Sequence, residues 1–423
     1  MIKIYNRNEI SIQEILERSE QTVDVEGIVS DIIKNVKENG DKALVEYCKK
    51  FDGAVDDVIE VTAEEIEEAF KEVDTELIGI LKEAKENITA FHSKQVRNSF
   101  IINEKDGVII GQKVLPIEKV GLYVPGGTAS YPSSVLMNCV PAKIAGCSEI
   151  VMVTPAKAGK VKPVILAAAK IAGVDRIFKI GGAQAVAALA YGTESVPKVD
   201  KIVGPGNAFV AEAKKQVFGM VDIDMIAGPS EILVVADSTN NPAHIAADML
   251  SQAEHDKMAT AVLITDSQNF AEEVSAELEK QIPLLPRAEI ARCSVDTNGK
   301  IIVTDNLVEA MDVSNILAPE HLEICVDNPF EYLGYVKNAG SVFLGKNCPE
   351  ALGDYFAGPN HTLPTSGTAR FSSPLSVDDF VKKTQFSYFS RQALCEVSDK
   401  VVRFANEEGL QAHAKSVSIR TEK

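Results

Sequence analysis

From about Lys119 onward, short β-branched runs alternate with alanine-rich stretches, and this alternation constrains the fold more than any other feature of the sequence. The runs 121–125 and 149–156 are typical of buried strands, and the stretch between them, 133–147, is typical of a helix. The same order continues through helices and strands in turn, at 163–173, 175–182, 183–192 and 199–207. Strands separated by helices of this length predict right-handed βαβ units and a mostly parallel sheet.

A second series of strands and helices begins near residue 231. Its strands are the β-branched segments 231–237, 260–266, 300–305 and 341–345. The helix 241–256 opens with Asn241 and Pro242, which together form a good start signal. We therefore predict an α/β fold with two Rossmann-like, incomplete, mostly parallel-sheet domains. The first hundred residues have a mostly helical pattern, and the last forty predict a small, separate tail.

Composition limits the functions that this chain can have. A chain of 423 residues with 45% hydrophobic and 25% charged residues predicts two or more globular domains. No apolar run reaches the roughly 18–20 residues of a membrane span, and the charged N-terminus lacks the apolar core of a signal peptide. Seven scattered cysteines without CxxC spacing are expected to be reduced thiols in the cytoplasm. The formal net charge of −18 opposes a nucleic-acid-binding surface.

Three glycine-containing turns follow predicted strands, at 123–127, 180–184 and 204–208. Ligands of parallel sheets bind at the carboxyl ends of strands, and glycine permits a phosphate to approach the backbone closely. The turns therefore indicate a nucleotide site. None completes the GxGxxG fingerprint, because GPGNAF has only its first two glycines. A tight strand–helix turn without a ligand is the alternative interpretation for each of them.

A few polar side chains are candidates for a metal or acid–base site. Gln252 and His255 lie three residues apart at a predicted helix end, so both can point to one side, although an amide is an unusual zinc ligand. Glu320 and His321 are an adjacent acid and imidazole beside a prolyl turn, and such pairs are also common at surfaces. Further candidates in a Gly- and Pro-containing loop and in the tail are Asp354, Glu408 and His413. These patterns do not choose a substrate.

Seven longer segments, distributed along the chain, are more specific than any single motif. They are GLYVPGGTASYPSSVLMNCVPAKIAG, IGGAQAVAALAYGT, KIVGPGNAFVAEAK, DMIAGPSEILVVAD, AADMLSQAEHD, LAPEHLEI and GDYFAGPNHTLPTSGTARFSSPLSVDDF. In their order and spacing they resemble the histidinol dehydrogenase family. The resemblance runs from about Val25 to the C-terminus, which is essentially the whole chain.

The resemblance implies a metal and substrate site. One zinc ion per subunit would be bound by Gln252, His255, Asp354 and His413. The substrate, L-histidinol, would contact these same residues and also Ser230, His321 and Glu408. Zinc is expected to hold the amine and imidazole nitrogens of the substrate, because nitrogen donors suit this metal. We expect a supporting role for His361 and structural roles for His92 and His244.

The resemblance also implies the reaction. The primary alcohol of L-histidinol would be oxidised through a bound aldehyde to the carboxylate of L-histidine, with two NAD consumed per turnover. NAD would be bound by Tyr123, Gln184 and Asn207, which lie in or beside the three glycine turns. His321 would be the general base in both oxidations, since a neutral imidazole can accept a proton near pH 7. Glu320 would activate the water that attacks the aldehyde.

The family's organisation implies a homodimer with shared active sites. We expect an N-terminal helical arm (1–22), a discontinuous first α/β domain with the catalytic and metal residues (23–117 and 230–376), and a second, NAD-binding α/β domain (118–229). A C-terminal tail domain (377–423) would contribute Glu408 and His413 to the partner's active site. No nucleic acid or membrane partner is expected.

Three alternative functions fit parts of the sequence. An aldehyde-dehydrogenase-like route would use a cysteine nucleophile, for which Cys139 and Cys147 are candidates, but both lie in an apolar helix where inert thiols are expected. A zinc hydrolase would explain a metal but lacks an HExxH motif and leaves the glycine turns without a purpose. A periplasmic histidine-binding protein would have two α/β lobes but would need a signal peptide.

Overall fold

A computed structural model describes residues 1–17, 25–54, 57–126 and 130–422. The contacts between Cα atoms divide the chain into two compact units. The larger unit comprises Met1–Gln95 and Glu118–Phe380, and the smaller comprises Val96–Ile117 and Val381–Lys423. None of the helices in the described ranges is both long enough and apolar enough to cross a membrane.

Within these ranges we number the strands in chain order. The strands are β1 Lys3–Asn6, β2 Phe100–Lys105, β3 Val108–Pro116, β4 Lys119–Tyr123, β5 Glu149–Val153, β6 Arg176–Phe178, β7 Lys201–Val203, β8 Asp222–Ile223, β9 Glu231–Ala236, β10 Thr260–Thr265, β11 Lys300–Val303, β12 His321–Cys325, β13 Ser341–Leu344 and β14 Val381–Phe389. They form three sheets, of which two are parallel and one is antiparallel.

The helices are numbered in the same way. They are α1 Ile12–Leu16, α2 Glu26–Tyr47, α3 Ala63–Glu72, α4 Thr75–His92, α5 Pro132–Ala145, α6 Pro163–Ala172, α7 Gly182–Tyr191, α8 Ala208–Val217, α9 Pro242–Ala253, α10 Gln268–Gln281, α11 Ala288–Thr297, α12 Leu307–Leu317, α13 Phe330–Leu333, α14 Glu350–Tyr355, α15 Arg391–Glu407 and α16 Gln411–Thr421. As predicted from Asn241 and Pro242, α9 is capped by the Asn241 side chain and has proline in its first turn.

The larger unit contains two parallel sheets, which confirms the predicted α/β fold. One sheet has five strands in the order β6-β5-β4-β7-β8, and the other has six in the order β1-β11-β10-β9-β12-β13. Strands β9, β10, β11 and β12 are buried along their whole length. Their near-continuous apolar runs suit strands that are covered by helices on both faces.

In each parallel sheet the order of the strands reverses once. Successive strands of the five-stranded sheet are added on one side from β4 to β6 and on the other side from β7. The reversal in the six-stranded sheet lies between β9 and β12. Such a switch point leaves a crevice at the carboxyl ends of the strands, because the connecting helices on either side of it lie on opposite faces. The fold therefore offers a crevice beside β4 and β7.

The helices of the first hundred residues pack on the five-stranded sheet. Helix α2 contacts α7 and α8, α3 contacts α6, and α4 contacts α5 and α6. Val29 and Leu44 of α2 share one core with Phe178 and Leu189. The structure thus differs from the prediction that placed 23–117 with 230–376. An apolar helix face predicts that the helix is buried but does not identify its partner sheet.

The smaller unit combines two distant parts of the chain. Strands β2, β3 and β14 form an antiparallel sheet in the order β14-β3-β2, and α15 packs against α16. The sequence predicted a separate tail from residue 377, but 96–117 also belongs to this unit. The part of this unit that the sequence did not predict is a hairpin, Phe100–Pro116. Its pairing with the distant strand β14 leaves no local signal in the sequence.

The N-terminal segment begins with a strand rather than the predicted helical arm. Strand β1 pairs in parallel with β11, and Ile2 is buried in the core beside it. The short helix α1 follows and has a capping box formed by Ser11 and Glu14. Residues 18–22 of the predicted arm, and Gly127 of the first glycine turn, lie outside the described residues. Pairing with a sheet edge overrode the charged, helix-like composition of the first residues.

Candidate active site

A cleft of about 1950 Å³ is lined by residues from both parallel sheets of the larger unit. Its walls include residues beside the carboxyl ends of β4 and β7 and beside the amino ends of β9 and β12, namely Tyr123, Asn207, Ser230, Glu320 and His321. The five-stranded sheet therefore presents its switch point to the cleft, as the carboxyl-end rule predicts. The six-stranded sheet presents the amino ends of its strands to the cleft, which the rule does not predict.

His321 is held in one orientation by the neighbouring strand. Its Nδ1 lies 2.9 Å from the carbonyl oxygen of Glu231, which can only accept a hydrogen bond, so Nδ1 carries the proton in the neutral ring. Its Nε2 is buried and has no hydrogen-bond partner within the described part of the chain. When the ring is neutral, this arrangement leaves the lone pair of Nε2 available in a cleft-lining side chain.

Two carboxylates flank the His321 ring. Oε2 of Glu320 lies 3.6 Å from Nδ1, and Oδ1 of Asp354 lies 3.7 Å from Nε2. Burial alone would lower the pKa of His321, but the negative charges of Glu320 and Asp354 outweigh it and raise this pKa well above its ordinary value. Oε2 of Glu320 is itself fixed, because it accepts a hydrogen bond of 2.8 Å from the backbone N–H of Glu231.

Asp354 connects His321 to a second buried imidazole. Nδ1 of His361 lies 3.1 Å from the backbone oxygen of Asp354, and Nε2 of His361 lies 3.3 Å from Oγ of Ser134. Burial lowers the pKa of His361 despite the nearby Asp354 carboxylate. Burial opposes ionisation of Asp354, but hydrogen bonding to His321 and the charges of both imidazoles keep its pKa below the usual value. Asp354 is therefore an ionised ligand candidate.

Gln252, in the last turn of α9, lines the cleft. Its Nε2 donates a hydrogen bond of 2.6 Å to Oε1 of Glu350. Its Oε1 is buried and lacks a hydrogen-bond partner among the residues that the structure describes. A buried polar oxygen without a partner is costly, so this atom is a candidate ligand atom. His255, three residues later, also lines the cleft.

These side chains could hold a divalent cation. The orphaned oxygen of Gln252, an imidazole at His255 and the ionised carboxylate of Asp354 form a mixed oxygen and nitrogen donor set that suits zinc. A second combination also brings donor atoms together, because His321, Glu350 and Asp354 have one each within 4.8 Å of one another. However, both carboxylate oxygens of Glu350 already accept hydrogen bonds, from Gln252 and from Ser251. Glu350 therefore fits a supporting position better than a ligand position.

The three glycine turns interlock at the other side of the cleft. The Tyr123 hydroxyl accepts a hydrogen bond of 3.0 Å from the N–H of Gly182 and so joins the first turn to the second. Gly204, in the third turn, has a φ of 117°, and a Cβ there would lie 2.1 Å from the carbonyl oxygen of Tyr123. Only glycine can occupy that position. Asn207 ends the third turn and caps α8 by accepting from the N–H of Val210.

A buried ion pair fixes the third turn. The ammonium of Lys214 contacts a carboxylate oxygen of Asp224, and their side chains are 2% and 1% exposed. Lys214 also donates to the carbonyl oxygen of Gly204 at 3.0 Å, and Asp224 accepts from the N–H of Gly204 at 2.7 Å. One ion pair therefore holds both polar groups of the same glycine. The turn is a rigid element of the cleft.

The family model of histidinol dehydrogenase matches residues 16–421. A histidinol dehydrogenase of Clostridium acetobutylicum is 59% identical over 93% of this chain and 91% of that protein, and one of Bacillus cereus is 56% identical over 100% and 96%. The crystal structure of histidinol dehydrogenase from Elizabethkingia anophelis superposes with a TM-score of 0.94 at 40% identity, covering 99% of this chain and 98% of that one.

The chain belongs to the histidinol dehydrogenase family. The match covers nearly the whole chain, so the resemblance inferred from the seven segments is confirmed. Histidinol dehydrogenases are oxidoreductases, and the high TM-score also confirms the predicted α/β architecture.

Most of the predicted site residues meet in the cleft. The cleft-lining members of that set are Tyr123, Asn207, Ser230, Gln252, His255, Glu320, His321 and Asp354. Gln184 is buried, and within the described ranges it is not among the cleft-lining residues; its amide lies against Gly182. Glu408 and His413 belong to the smaller unit, where both are exposed. Their roles stay predictions.

Glu350 was not among the residues predicted from the sequence, yet it contacts Gln252 and is only 2% exposed. Glu350 and Asp354 are four residues apart on α14, so a helix places both on one face. That spacing was the available signal. Burial, followed by repulsion from Asp354, raises the pKa of Glu350 to about 7.

The two cysteines considered as nucleophiles are far from suitable for that role. Cys139 is fully buried, and burial raises its pKa to about 12. Burial likewise raises the pKa of Cys147 to about 11. Neither thiol is among the cleft-lining residues in the described ranges. At neutral pH both are protonated, and a protonated thiol is a poor nucleophile.

Proposed function

We propose that this chain is a cytoplasmic, zinc- and NAD-dependent L-histidinol dehydrogenase that carries out two successive oxidations at one site. The observation that carries the proposal is the pair of buried atoms without hydrogen-bond partners in the described chain, Nε2 of His321 and Oε1 of Gln252, both on cleft-lining side chains. The first is a base when the imidazole is neutral, a state that a cation bound beside Asp354 would favour by offsetting the negative charge that raises the pKa of His321. The second is an oxygen that can serve as a ligand. Alcohol oxidation needs a base, and a nitrogen-rich substrate can be held by a metal.

His321 is the general base in both oxidations. The carbonyl oxygen of Glu231 accepts from Nδ1–H and so fixes the tautomer in which Nε2 can accept a proton. In the first step Nε2 takes the proton of the substrate hydroxyl while hydride leaves the carbon for NAD, which produces an aldehyde. In the second step Nε2 takes the proton of the gem-diol, and hydride leaves for a second NAD. One L-histidinol, one water and two NAD⁺ give L-histidine, two NADH and three protons, and His321 gives up the proton gained in the first oxidation before it acts as base in the second.

Glu320 activates the water that converts the aldehyde into the gem-diol. The carboxylate is nearly buried beside His321, and the N–H of Glu231 fixes one of its oxygens. A carboxylate held in this way can take a proton from water as the water oxygen attacks the carbonyl carbon. This role belongs to the second oxidation alone, because the first requires no water.

The metal ligands that we propose are Gln252, His255 and Asp354, together with His413 of the partner subunit. A bound zinc ion would supply a positive charge that offsets Asp354 and would hold the substrate amine and imidazole nitrogens. Ser230, at the amino end of β9, lines the same cleft and would contact the substrate, as would Glu408 of the partner subunit. A substrate held at several points can be oxidised twice without leaving, which retains the reactive aldehyde.

NAD would bind along the interlocked glycine turns. Tyr123 and Asn207 line the cleft, and Gln184 supports the second turn through Gly182. The position matches the switch point of the five-stranded sheet, where ligands of α/β proteins bind. The incomplete fingerprint leaves less backbone for a pyrophosphate than a full GxGxxG turn. NADH can therefore leave and be replaced between the two oxidations.

A homodimer would complete the site. Strand β2 is an exposed sheet edge that carries Phe100, Ile101 and Ile102 at 49%, 66% and 41% exposure. Exposed apolar edge strands are unusual in monomers and suit pairing with another chain. Glu408 and His413 are exposed in the same unit, so a second copy that covers this unit could receive them. In a two-fold dimer both tails would be exchanged at once.

One experiment tests the proposed function. The protein, a His321→Ala variant and a His244→Ala variant are incubated with L-histidinol and NAD, and NADH and histidine are both measured. His244 is exposed on α9 and is the matched control. We expect both products from the parent and from His244→Ala, and a loss of at least about 10²-fold in His321→Ala, which is the usual effect of removing a general base. NADH without histidine, or no reaction by the parent, would refute the proposal.

A further inference from the structure

The amide of Gln252 can work as a metal ligand only in one of its two orientations. An amide presents an oxygen on one side and an NH₂ group on the other, and the NH₂ group repels cations. Nothing within the Gln252 side chain prefers either orientation. The orientation of the amide is therefore determined by its hydrogen bond to a neighbouring side chain.

The side chain that determines the orientation of the Gln252 amide is Glu350. Its Oε1 accepts from Nε2 of Gln252 at 2.6 Å, and its Oε2 accepts from Oγ of Ser251 at 2.8 Å. A carboxylate can only accept, so it selects the NH₂ side of the amide and turns Oε1 of Gln252 away from itself. That oxygen is the one that is buried and lacks a partner in the described chain.

We propose that Glu350 is a positioning residue that holds the Gln252 amide with its oxygen toward the metal position. The inference rests on the proposed function, because it assumes that Gln252 is a zinc ligand. Partners that fix the orientation of a ligand side chain typically change metal affinity about 10- to 100-fold when they are removed. Glu350 is such a partner for an amide, whose orientation matters more than that of a symmetric carboxylate.

Glu350 is itself fixed from behind. It is the first residue of α14, and its backbone N–H donates a hydrogen bond of 2.6 Å to Oε1 of Glu323. Glu323 is fully buried on β12, the strand that begins with His321. The orientation of Gln252 is therefore tied through two acidic residues to the strand that carries the proposed base.

A competing explanation is that Glu350 binds the metal directly. One of its oxygens lies within 4.8 Å of donor atoms of His321 and Asp354. The two explanations differ in what a compensating exchange does. If Glu350 only orients the amide, then exchanging the two side chains keeps the hydrogen bond and still presents an oxygen to the cleft. If Glu350 is a ligand, the exchange removes it.

The test measures zinc affinity directly, by competition of the metal-free protein with a chromophoric chelator at pH 8. We expect Glu350→Gln to weaken zinc binding about 10- to 100-fold, because the substituted amide no longer selects one orientation of Gln252 and the negative charge is lost. Ser251→Ala removes the other hydrogen bond to Glu350 and leaves the Gln252 contact, so it is the matched control and should stay within about threefold.

The exchange variant Gln252→Glu with Glu350→Gln gives the sharper result. The new amide can donate to one oxygen of the new carboxylate, and the other oxygen faces the cleft. We expect zinc affinity within about threefold of the parent. If Glu350→Gln alone does not fold, the zinc affinity of the exchange variant still shows whether Glu350 positions the amide or binds the metal. Circular dichroism and thermal unfolding of every variant separate loss of metal from loss of fold.

Two results would overturn the positioning role while leaving the proposed function intact. The first is parental zinc affinity in folded Glu350→Gln. The second is equal loss of zinc from the single variant and the exchange variant, which would make Glu350 a ligand. A parent protein that does not bind zinc would instead overturn the metal site of the proposed function, and the positioning role with it.

Discussion

Replacing Lys214 by methionine is expected to destabilise the third glycine turn and to weaken NAD binding. Methionine keeps most of the volume of the buried stem but removes the ammonium group. Asp224, which is 1% exposed, would then retain its hydrogen bonds from the N–H groups of Gly204 and Met225, both at 2.7 Å, without its counter-charge. The carbonyl oxygen of Gly204 would lose its donor as well.

The magnitude follows from the burial of the pair. Breaking a buried ion pair by removing one partner costs about 3–5 kcal/mol, and no solvent screening reduces that figure when both side chains are inaccessible. The two remaining N–H donors partly satisfy Asp224, so the lower end, about 3 kcal/mol, applies. Since the entropy of unfolding scales with chain length, a loss of about 3 kcal/mol lowers the Tm of a chain of this size by about 3 °C.

The assay combines thermal unfolding with the KM for NAD. Lys280→Met is the matched control, because Lys280 is 68% exposed and lies 2.6 Å from Glu277 in a surface pair that contributes little. It should shift the Tm by less than about 1 °C and leave the KM unchanged. The double variant Lys214→Met with Asp224→Asn should recover part of the loss, because no buried charge remains. Equal effects of Lys214→Met and Lys280→Met would refute the reasoning.

Three further predictions concern the chemistry and the assembly. Glu320→Gln should slow oxidation of histidinal by about 10²- to 10⁴-fold and oxidation of histidinol much less, whereas His321→Ala should slow both. Single-turnover rates with the two substrates measure this. Equal losses of both rates in Glu320→Gln would count against separate roles for the two residues. Burial raises the pKa of Cys139 to about 12 and that of Cys147 to about 11, so both are almost entirely protonated at pH 8 and neither should react with iodoacetamide in the folded protein. Their alanine variants should keep the turnover number within about tenfold of the parent. Modification of either thiol that abolishes activity would instead support a cysteine nucleophile. Co-expression of the inactive variants His413→Ala and Glu320→Ala should restore roughly a quarter of the parental sites if the tail acts in the partner's site, and heterodimers without activity would exclude that exchange.

The parallel sheets were predictable because their signal is local. Strands such as β9 and β10 are continuous apolar runs between turn residues, and their alternation with helices leaves few other topologies. The edges were not predictable in the same way. Strand β1 has four residues and becomes a strand only through β11, nearly three hundred residues away in sequence.

In the candidate site too, some features could be predicted from local sequence and others depend on distant elements. The carboxyl-end rule located the first and third glycine turns, which contain the cleft-lining Tyr123 and Asn207, because the positions of those turns depend only on strand direction. The proposed catalytic pair lies at the amino ends of β9 and β12, where no general rule places a ligand. Glu320 and His321 were candidates because an acid adjoins an imidazole, but only the family resemblance implied a catalytic role for them. Gln252 has the sequence pattern of a polar helix end, yet it is 1% exposed. Its burial depends on α14, a distant element.

The most direct test of the account is the number of NADH formed per histidine in one reaction with limiting L-histidinol and excess NAD. Both products are quantified in the same sample, and a carbonyl trap is included to capture any released histidinal. A site that uses His321 twice on an immobilised substrate predicts two NADH for each histidine and no trapped aldehyde. A ratio of one, or aldehyde accumulating in the trap, would contradict the claim that one site completes both oxidations.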